Sequence, residues 1–387
     1  MNISHIKQTM KDSMLSALMY VFRVVPVKQN KVLFISYYGN YYNDNPMMIS
    51  QQLEGNRAVD CVWALQDHAE CPPHIRRVRI ASLRYIYELA TAKVWVDNCR
   101  KNIWTRKRKG QYYIQTWHGN LGNKRTEGAA EDTLTPDYLV RSKHDAELID
   151  LMISGSDFFT NLIRKYFWYK GEILECGTPR LDSFFHTSDE SMMQIREKLG
   201  ISSECRVALY APTFRIDLRM DCYKLDFERV LQTLEEKTGD RWVMLVRLHP
   251  NVADKADYIQ YSSRIINATL YPDLYDLIPL SDVVISDYSS LTFEAGLLMK
   301  PVFLFALDLD EYIHERGFYI DIREQPYILA QSNDELVEKI RTFSKGKYED
   351  ELNAFNQSLG IRENGDAAKK IAERILSVIQ QPKHEVV

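Results

Sequence analysis

The chain opens with one helical period of apolar positions and then changes rhythm. Ile6, Met10, Met14, Leu18, Phe22 and Val25 recur at three- and four-residue steps, with Lys7, Lys11, Arg23, Lys28 and Lys31 among them. That is the pattern of an amphipathic helix. From residue 31 onward, short β-branched and aromatic runs alternate with helical stretches. Segments 31–37, 58–65, 77–80, 93–98 and 112–116 read as strands, and 45–53, 82–91 and 142–152 as helices, with 137–140 and 172–175 as two further strands. A second series follows the polar stretch 186–190. Its strands are 206–210, 242–246, 264–267, 282–286 and 302–305, and its helices 227–236, 291–299 and 334–343. A last helix, 367–380, follows Glu363-Asn364-Gly365 and is placed to cross back to the first series.

Short strands separated by helices predict parallel sheets with right-handed crossovers. The expected fold is α/β, with two Rossmann-like, doubly wound domains facing each other across a cleft. The expected divisions are 1–30 for the amphipathic helix, 31–185 and 186–360 for the two domains, and 361–387 for the C-terminal helix. In such a plan ligands bind at the C-terminal ends of the strands.

Composition narrows the function classes. Of 387 residues, 45% are apolar and 26% charged, as in a folded protein with room for two domains. A net charge of −4 gives no electrostatic argument for nucleic acid. Six scattered cysteines fit reduced thiols, and Cys71-Pro72-Pro73-His74 is too sparse for a metal site, so no metal is expected. Neither a P-loop nor a glycine-rich dinucleotide fingerprint occurs. Asp308-Leu309-Asp310 reads as a loop or cap. No signal peptide is read at the start, and the longest apolar run, 14–26, is short of the ~20 residues of a membrane span. The N-terminal helix therefore reads as one lying on an anionic membrane surface, or else packed on the protein's own second domain.

Candidate chemistry sits where strands end. Tyr112 to Thr116 leads into Trp117-His118-Gly119-Asn120, placing a histidine before a glycine expected to permit a tight turn. Histidine suits proton removal from a hydroxyl near neutral pH. In the second series, Thr213 and Arg215, then Arg247 and His249, follow successive strands. Ser289 and Ser290 follow another, where either can cap a helix over 291–298 and leave backbone N–H groups for a phosphate. Arginines and N–H groups at strand ends suit a diphosphate whose leaving oxygen gains charge.

At these residues the chain resembles the CDP-glycerol glycerophosphotransferase family of teichoic acid synthesis, over about residues 31 to 345. The matching pieces are Ser36-Tyr37-Tyr38-Gly39 with Asp44-Asn45-Pro46, Gln115-Thr116-Trp117-His118-Gly119, and Ile173-Leu174-Glu175-Cys176-Gly177-Thr178-Pro179-Arg180-Leu181-Asp182. Ala211-Pro212-Thr213-Phe214-Arg215, Arg247-Leu248-His249-Pro250, Ser286-Asp287-Tyr288-Ser289-Ser290 and Arg316-Gly317-Phe318-Tyr319 complete them. The resemblance implies a GT-B architecture with the donor bound mainly by the second domain and no required cofactor. It implies His118 as general base, His249 as a diphosphate contact, Ser289 and Ser290 at the donor phosphates, and Asp287 near that helix start. Arg215 is inferred, from charge and placement, to be a further phosphate clamp, beside Thr213 and Arg247. Gly39, Asn45, Trp117, Gly119, Asn120 and Lys124 fall on the acceptor side. The chain departs from the family at Asn120-Leu121-Gly122-Asn123-Lys124, where members usually carry Thr-Pro-Leu-Lys-Lys. That marks the acceptor or the transferred polyol as a point of difference.

The expected reaction moves glycerol phosphate from CDP-glycerol to a membrane-linked acceptor, an undecaprenyl-diphosphate-linked glycan or a polyol phosphate, releasing CMP. The expected place is the cytoplasmic membrane face, with peripheral attachment through the N-terminal helix. The chain's length is that of a short, primase-like or capsule-type member. Alternatives are a CDP-ribitol-dependent transferase and a GT-B nucleotide-sugar transferase or epimerase, for which Glu294 is the one acidic candidate. A non-catalytic binder of a CDP-polyol or lipid-linked glycan is the alternative outside enzymes, and the pair of histidines argues against it.

Overall fold

The protein was analysed as a computed structural model that describes residues 3–119 and 122–380. These divide into two compact units. The first comprises 3–119, 126–182 and 361–380, and the second 122–125 and 183–360.

The first unit begins with α1 (Ile3–Val21), β1 (Lys28–Ile35), α2 (Asp44–Leu53), β2 (Asp60–Leu65), β3 (Arg77–Arg79) and α3 (Leu83–Thr91). It continues through β4 (Ala92–Asp97), β5 (Tyr112–Gln115), α4 (Pro136–Leu148), β6 (Leu151–Ser154), α5 (Asp157–Tyr166) and β7 (Glu172–Glu175). Its strands pair in parallel in the order β3-β2-β1-β4-β5-β6-β7. Central strands covered on both faces read as unbroken apolar runs, and Val32 to Phe34 and Val94 to Val96 are fully buried.

The second unit holds α6 (Asp189–Leu199), β8 (Cys205–Tyr210), α7 (Phe227–Thr238), β9 (Arg241–Val246), β10 (Ile265–Asn267), α8 (Leu274–Leu280) and β11 (Val283–Ser286). It ends with α9 (Leu291–Leu297), β12 (Val302–Phe305), α10 (Leu309–Arg316), β13 (Ile328–Ala330), α11 (Asn333–Thr342) and α12 (Lys345–Leu359). Its sheet order is β10-β9-β8-β11-β12-β13, again parallel. Both units thus have the Rossmann order, which reverses direction at β1/β4 and at β8/β11, the positions where such sheets bind ligands.

Helix α13 (Ala367–Gln380) belongs to the first unit, where Ile371, Ile375 and Val378 join Ile49 and Leu53 of α2 in one core. Glu363 anchors its approach: the Thr178 amide and hydroxyl donate to its carboxylate at 2.7 and 2.6 Å. A Cβ on Gly155 would lie 1.9 Å from a Glu363 oxygen, so a side chain there would displace that carboxylate from Thr178.

Three readings of the sequence are corrected. Segment 137–140 is not a strand but the first turn of α4, set by Pro136 at its start and by Thr135, whose side chain accepts from the Tyr138 amide. The helix expected to reach 152 ends at Leu148, and 151–154 is the wholly buried strand β6. Lys31, taken as part of a cationic flank, is instead buried in β1, paired with Glu88 and donating to Thr91 at 3.0 Å. Helices α5, α6, α8, α10 and α12 and strand β13 were not read from the sequence at all.

Helix α1 has two faces. Met19 is buried, Phe22 meets Tyr87 edge-on at 5.6 Å, and the Ser16 hydroxyl donates to the Trp104 carbonyl at 3.0 Å. Met10, Met14, Tyr20, Val21 and Val24 remain exposed. Among the described residues no helix is long and apolar enough to cross a membrane.

Burial raises the Glu363 carboxyl to about 7 from an ordinary 4.5. A group kept neutral in the fold but ionised in the unfolded chain loses its stabilising effect as pH rises through that window. Glu363→Gln should therefore raise the thermal midpoint more at pH 8 than at pH 5. Parallel thermal melts check this, and an equal shift at both pH values would contradict it.

Candidate active site

In the first unit the site is built on the loops after β1, β4 and β5. The Asn98 carbonyl, at the end of β4, accepts a hydrogen bond from His118 Nδ1 at 2.6 Å. With the proton on Nδ1, the lone pair of the neutral ring lies on Nε2. Trp117 stacks on the imidazole (4.5 Å, 26°) and Tyr37 lies against it at 5.6 Å. Burial lowers the His118 pKa, opposed by the Asn98 hydrogen bond and by Asp44. The ring is therefore a neutral base at physiological pH.

The loop is held by a buried polar network. Asn45 donates to the Trp117 carbonyl at 3.0 Å and accepts from the Arg180 amide at 3.0 Å. Arg180 Nη1 bonds the His118 carbonyl (3.0 Å) and the Asp44 carboxylate (3.1 Å), which also accepts from the Tyr37 hydroxyl (2.8 Å). Tyr37, Tyr38, Asp44 and Trp117 all have φ between 44° and 60°. Left-handed backbone at four non-glycine residues is costly, and it persists where surrounding structure enforces it. Gly119, expected to supply the tight turn, is not left-handed, and Trp117 takes that conformation instead. Gly39 does need its freedom: φ is +81°, and a Cβ would lie 2.4 Å from Ile80 Cδ1. Asn45 thus shapes the His118 loop, and Gly39 the loop after β1 that carries Tyr37. Asn120 lies outside the described residues.

In the second unit the site surrounds the β8/β11 switch point. Asp287, after β11, accepts from the amides of Thr213 (2.8 Å) and Tyr288 (2.6 Å). Arg215 departs from its expected role. Its guanidinium grips Asp308 through two bonds of 2.6 and 2.9 Å, Asp287 at 3.0 Å and the Thr213 carbonyl at 2.7 Å. It also packs on Tyr288 and Tyr312, rings stacked 3.8 Å apart. A cation so neutralised positions the loops and has little left for a phosphate. Asp308, read from sequence as a loop or cap, is that partner. Bonds from Arg215, Arg219 and Tyr288 outweigh burial and hold its carboxyl down at about 2.

Lys124 is differently placed. Residues 123–125 belong to the second unit, although the expected division placed them within 31–185 of the first. Asn123 clasps the backbone of Ile320 with bonds of 2.7 and 2.8 Å and accepts from the Tyr319 amide, and Lys124 bridges Phe318. Among the described residues the Lys124 ammonium has no carboxylate partner and lies 5.3 Å over the Tyr312 ring. Burial brings its pKa down to about 8, with Asp287 opposing and Arg316 and Arg215 assisting. The buried Thr213 hydroxyl has no partner either. His249 lies against Phe214 at 4.4 Å and accepts the Asn251 amide at Nδ1 (3.1 Å), so its N–H is on Nε2. Burial and Lys124 push it down to about 4, leaving a neutral donor.

Arg247 donates to the Ala268 and Tyr271 carbonyls, fixing the loop after β10. Ser289 and Ser290 are half-buried at the start of α9. Ser290 makes no side-chain cap, and the Ser289 hydroxyl is 3.4 Å from the Leu291 amide, a weak cap. The sequence did not single out Asn98, Tyr312 or the partnership of Asp308 with Arg215. Arg180 lay within a quoted motif without a role.

The first unit thus carries a neutral imidazole after β5, and the second carries Lys124, His249 and the Thr213 hydroxyl around its switch point, groups of the kind that group-transfer enzymes use. A family profile described as CDP-Glycerol:Poly(glycerophosphate) glycerophosphotransferase matches residues 17–377, and the chain belongs to that family. It is 29% identical over 379 residues to a teichoic acid poly(glycerol phosphate) polymerase of Bacillus spizizenii, covering 92% of this chain and 95% of that one. It is 27% identical over 388 residues to a teichoic acid glycerol-phosphate transferase of Staphylococcus aureus (96% and 99%). It spans about half the length of other poly(glycerol phosphate) polymerases that it matches. Among solved structures, the wall teichoic acid polymerase TagF superposes with a TM-score of 0.82 at 27% identity, covering 98% of each chain. The fold is of GT-B type, and the enzyme is a CDP-glycerol glycerophosphotransferase of teichoic acid synthesis.

If Arg215 positions the loops, Arg215→Ala leaves Asp287 and Asp308 buried without a counter-charge, at a cost of about 3–5 kcal/mol. Thermal unfolding without CDP-glycerol should show that loss. A wild-type midpoint would return Arg215 to the role of ligand clamp.

Proposed function

We propose that His118 Nε2 removes the proton from a terminal hydroxyl of a membrane-linked acceptor as that oxygen attacks the β-phosphorus of CDP-glycerol. The new P–O bond forms a phosphodiester. The bond from the β-phosphorus to the bridging oxygen breaks, and CMP departs with that electron pair. The His118–Asn98 hydrogen bond is the observation that carries this reading, because it leaves the basic nitrogen unprotonated.

On the donor side, Lys124, His249 Nε2–H, the Thr213 hydroxyl and the Ser289–Ser290 turn bind the diphosphate. Lys124 supplies the charge, since Arg215 is already neutralised. Arg215 and Asp287 hold the Thr213 and Tyr288 backbone in place. Charge on the leaving phosphate is offset by these groups, and no cofactor is assigned a role. Helix α1, with Met10, Met14, Tyr20, Val21 and Val24 exposed, lies on the cytoplasmic membrane surface and brings the enzyme to its lipid-linked acceptor.

His118→Ala should lower turnover by about 10²–10⁴-fold while leaving CDP-glycerol binding near wild type, read by CMP release and by calorimetry. Wild-type turnover in that variant would remove His118 as base. The pH dependence of kcat/KM for CDP-glycerol should have two limbs. The acid limb should fall below 6.5, where His118 protonates. The alkaline limb should begin near 8, where Lys124 loses its charge. Lys124→Arg should move that limb to higher pH, because a guanidinium stays charged. An unchanged limb would exclude Lys124.

A further inference from the structure

The first unit contains a cavity of about 1000 Å³ to which neither the base nor the donor groups contribute. It lies between α1, the loop after β4 and the start of α4. We infer that this cavity receives the diphosphate-linked, hydroxyl-rich head of the lipid acceptor. The inference rests on the transfer reading above and names the place where its second substrate is held.

Three observations converge. Arg141 lines the cavity, and among the described residues its guanidinium has no hydrogen-bond partner. It only stacks, on Tyr138 at 5.2 Å and on Tyr38 at 5.8 Å, and its Nε is buried. An uncompensated guanidinium in a pocket wall is a site for an oxyanion, and Arg106 lines the same space. The rest of the wall suits sugars: aromatic Tyr20 and Trp104, with Ser13, Asn102, Asp12 and Asp137 to bond hydroxyls.

The cavity also lies between the two ends of such a molecule. Its α1 wall includes Tyr20, which belongs to the exposed apolar set that would meet a lipid chain. On the other side, Arg141 packs on Tyr38, whose neighbour Tyr37 lies 5.6 Å from the His118 ring. A molecule with a prenyl tail, a diphosphate and a short glycan matches that order of apolar, cationic and polar surfaces. Its terminal hydroxyl would point toward the base.

The test is direct binding, without CDP-glycerol, of a short-prenyl diphosphate disaccharide to the full chain, read by calorimetry. Two variants on separate elements probe the cavity: Arg141→Ala removes the free cation, and Ala17→Trp fills the space from α1. Circular dichroism melts confirm that each is folded. Both should weaken the probe at least tenfold and raise the acceptor KM similarly, with the KM for CDP-glycerol unchanged. Wild-type affinity in either folded variant, or no binding to the wild type, overturns the assignment. So does weakened binding to phosphatidylglycerol vesicles alone, which would make the cavity a headgroup site. If the wild type binds the probe through this cavity yet releases no CMP from CDP-glycerol, the transfer reading fails and the cavity assignment stands.

Discussion

A single hydrogen bond, from His118 Nδ1 to the Asn98 carbonyl, decides which nitrogen of the imidazole can take a proton. A backbone carbonyl cannot be protonated or rotate away as a carboxylate could, so it fixes the tautomer without adding negative charge beside a nucleophile. Much of the first unit serves that contact. Strand β4 brings Asn98 to the switch point, β5 brings His118 beside it, and Asn45 and Arg180 hold the carbonyls of Trp117 and His118. The four left-handed residues around the ring are the strain that this placement requires.

The second unit solves a different problem, which is to keep charge available. Arginine is the usual choice for phosphate, yet Arg215 is spent on two aspartates. It thereby locks three loops around the β8/β11 switch point, whereas among the described residues Lys124 has no carboxylate partner. A half-buried lysine with no carboxylate partner is costly for the empty enzyme, as its lowered pKa records. Under the donor role proposed for Lys124, an arriving anion offsets that cost. Lys124 follows His118 by only a few positions in the chain, yet residues 122–125 belong to the second unit and His118 to the first.

Much of this was legible beforehand, for physical reasons. Continuous apolar runs at 31–37, 93–98 and 282–286 could only be central strands or buried helices, and the flanking turn residues favoured strands. His118, His249, Thr213 and Asp287 all follow such runs, so their position at strand ends was readable. What failed was local competition. Tyr138 to Val140 looks like a strand unless Thr135-Pro136 is recognised as a helix start. Leu151 to Ser154 looks like the tail of that helix because a fully buried strand has no alternation. The engagement of Arg215 was hidden because charge at a strand end shows in sequence, whereas neutralisation by Asp308, 93 residues away, does not. The crossing of residues 122–125 into the second unit rests on backbone pairing with Phe318 and Ile320, which leaves no signature in residue type.

The account turns on the state of one imidazole, and nitrogen-15 NMR of histidine-labelled protein reads it directly, with the His118 signals assigned by their loss in His118→Asn. The neutral ring should show its proton on Nδ1 and a bare Nε2 at pH 7, and should protonate only below 6.5. A proton on Nε2, or a titration above that value, would contradict the assignment of His118 as the base.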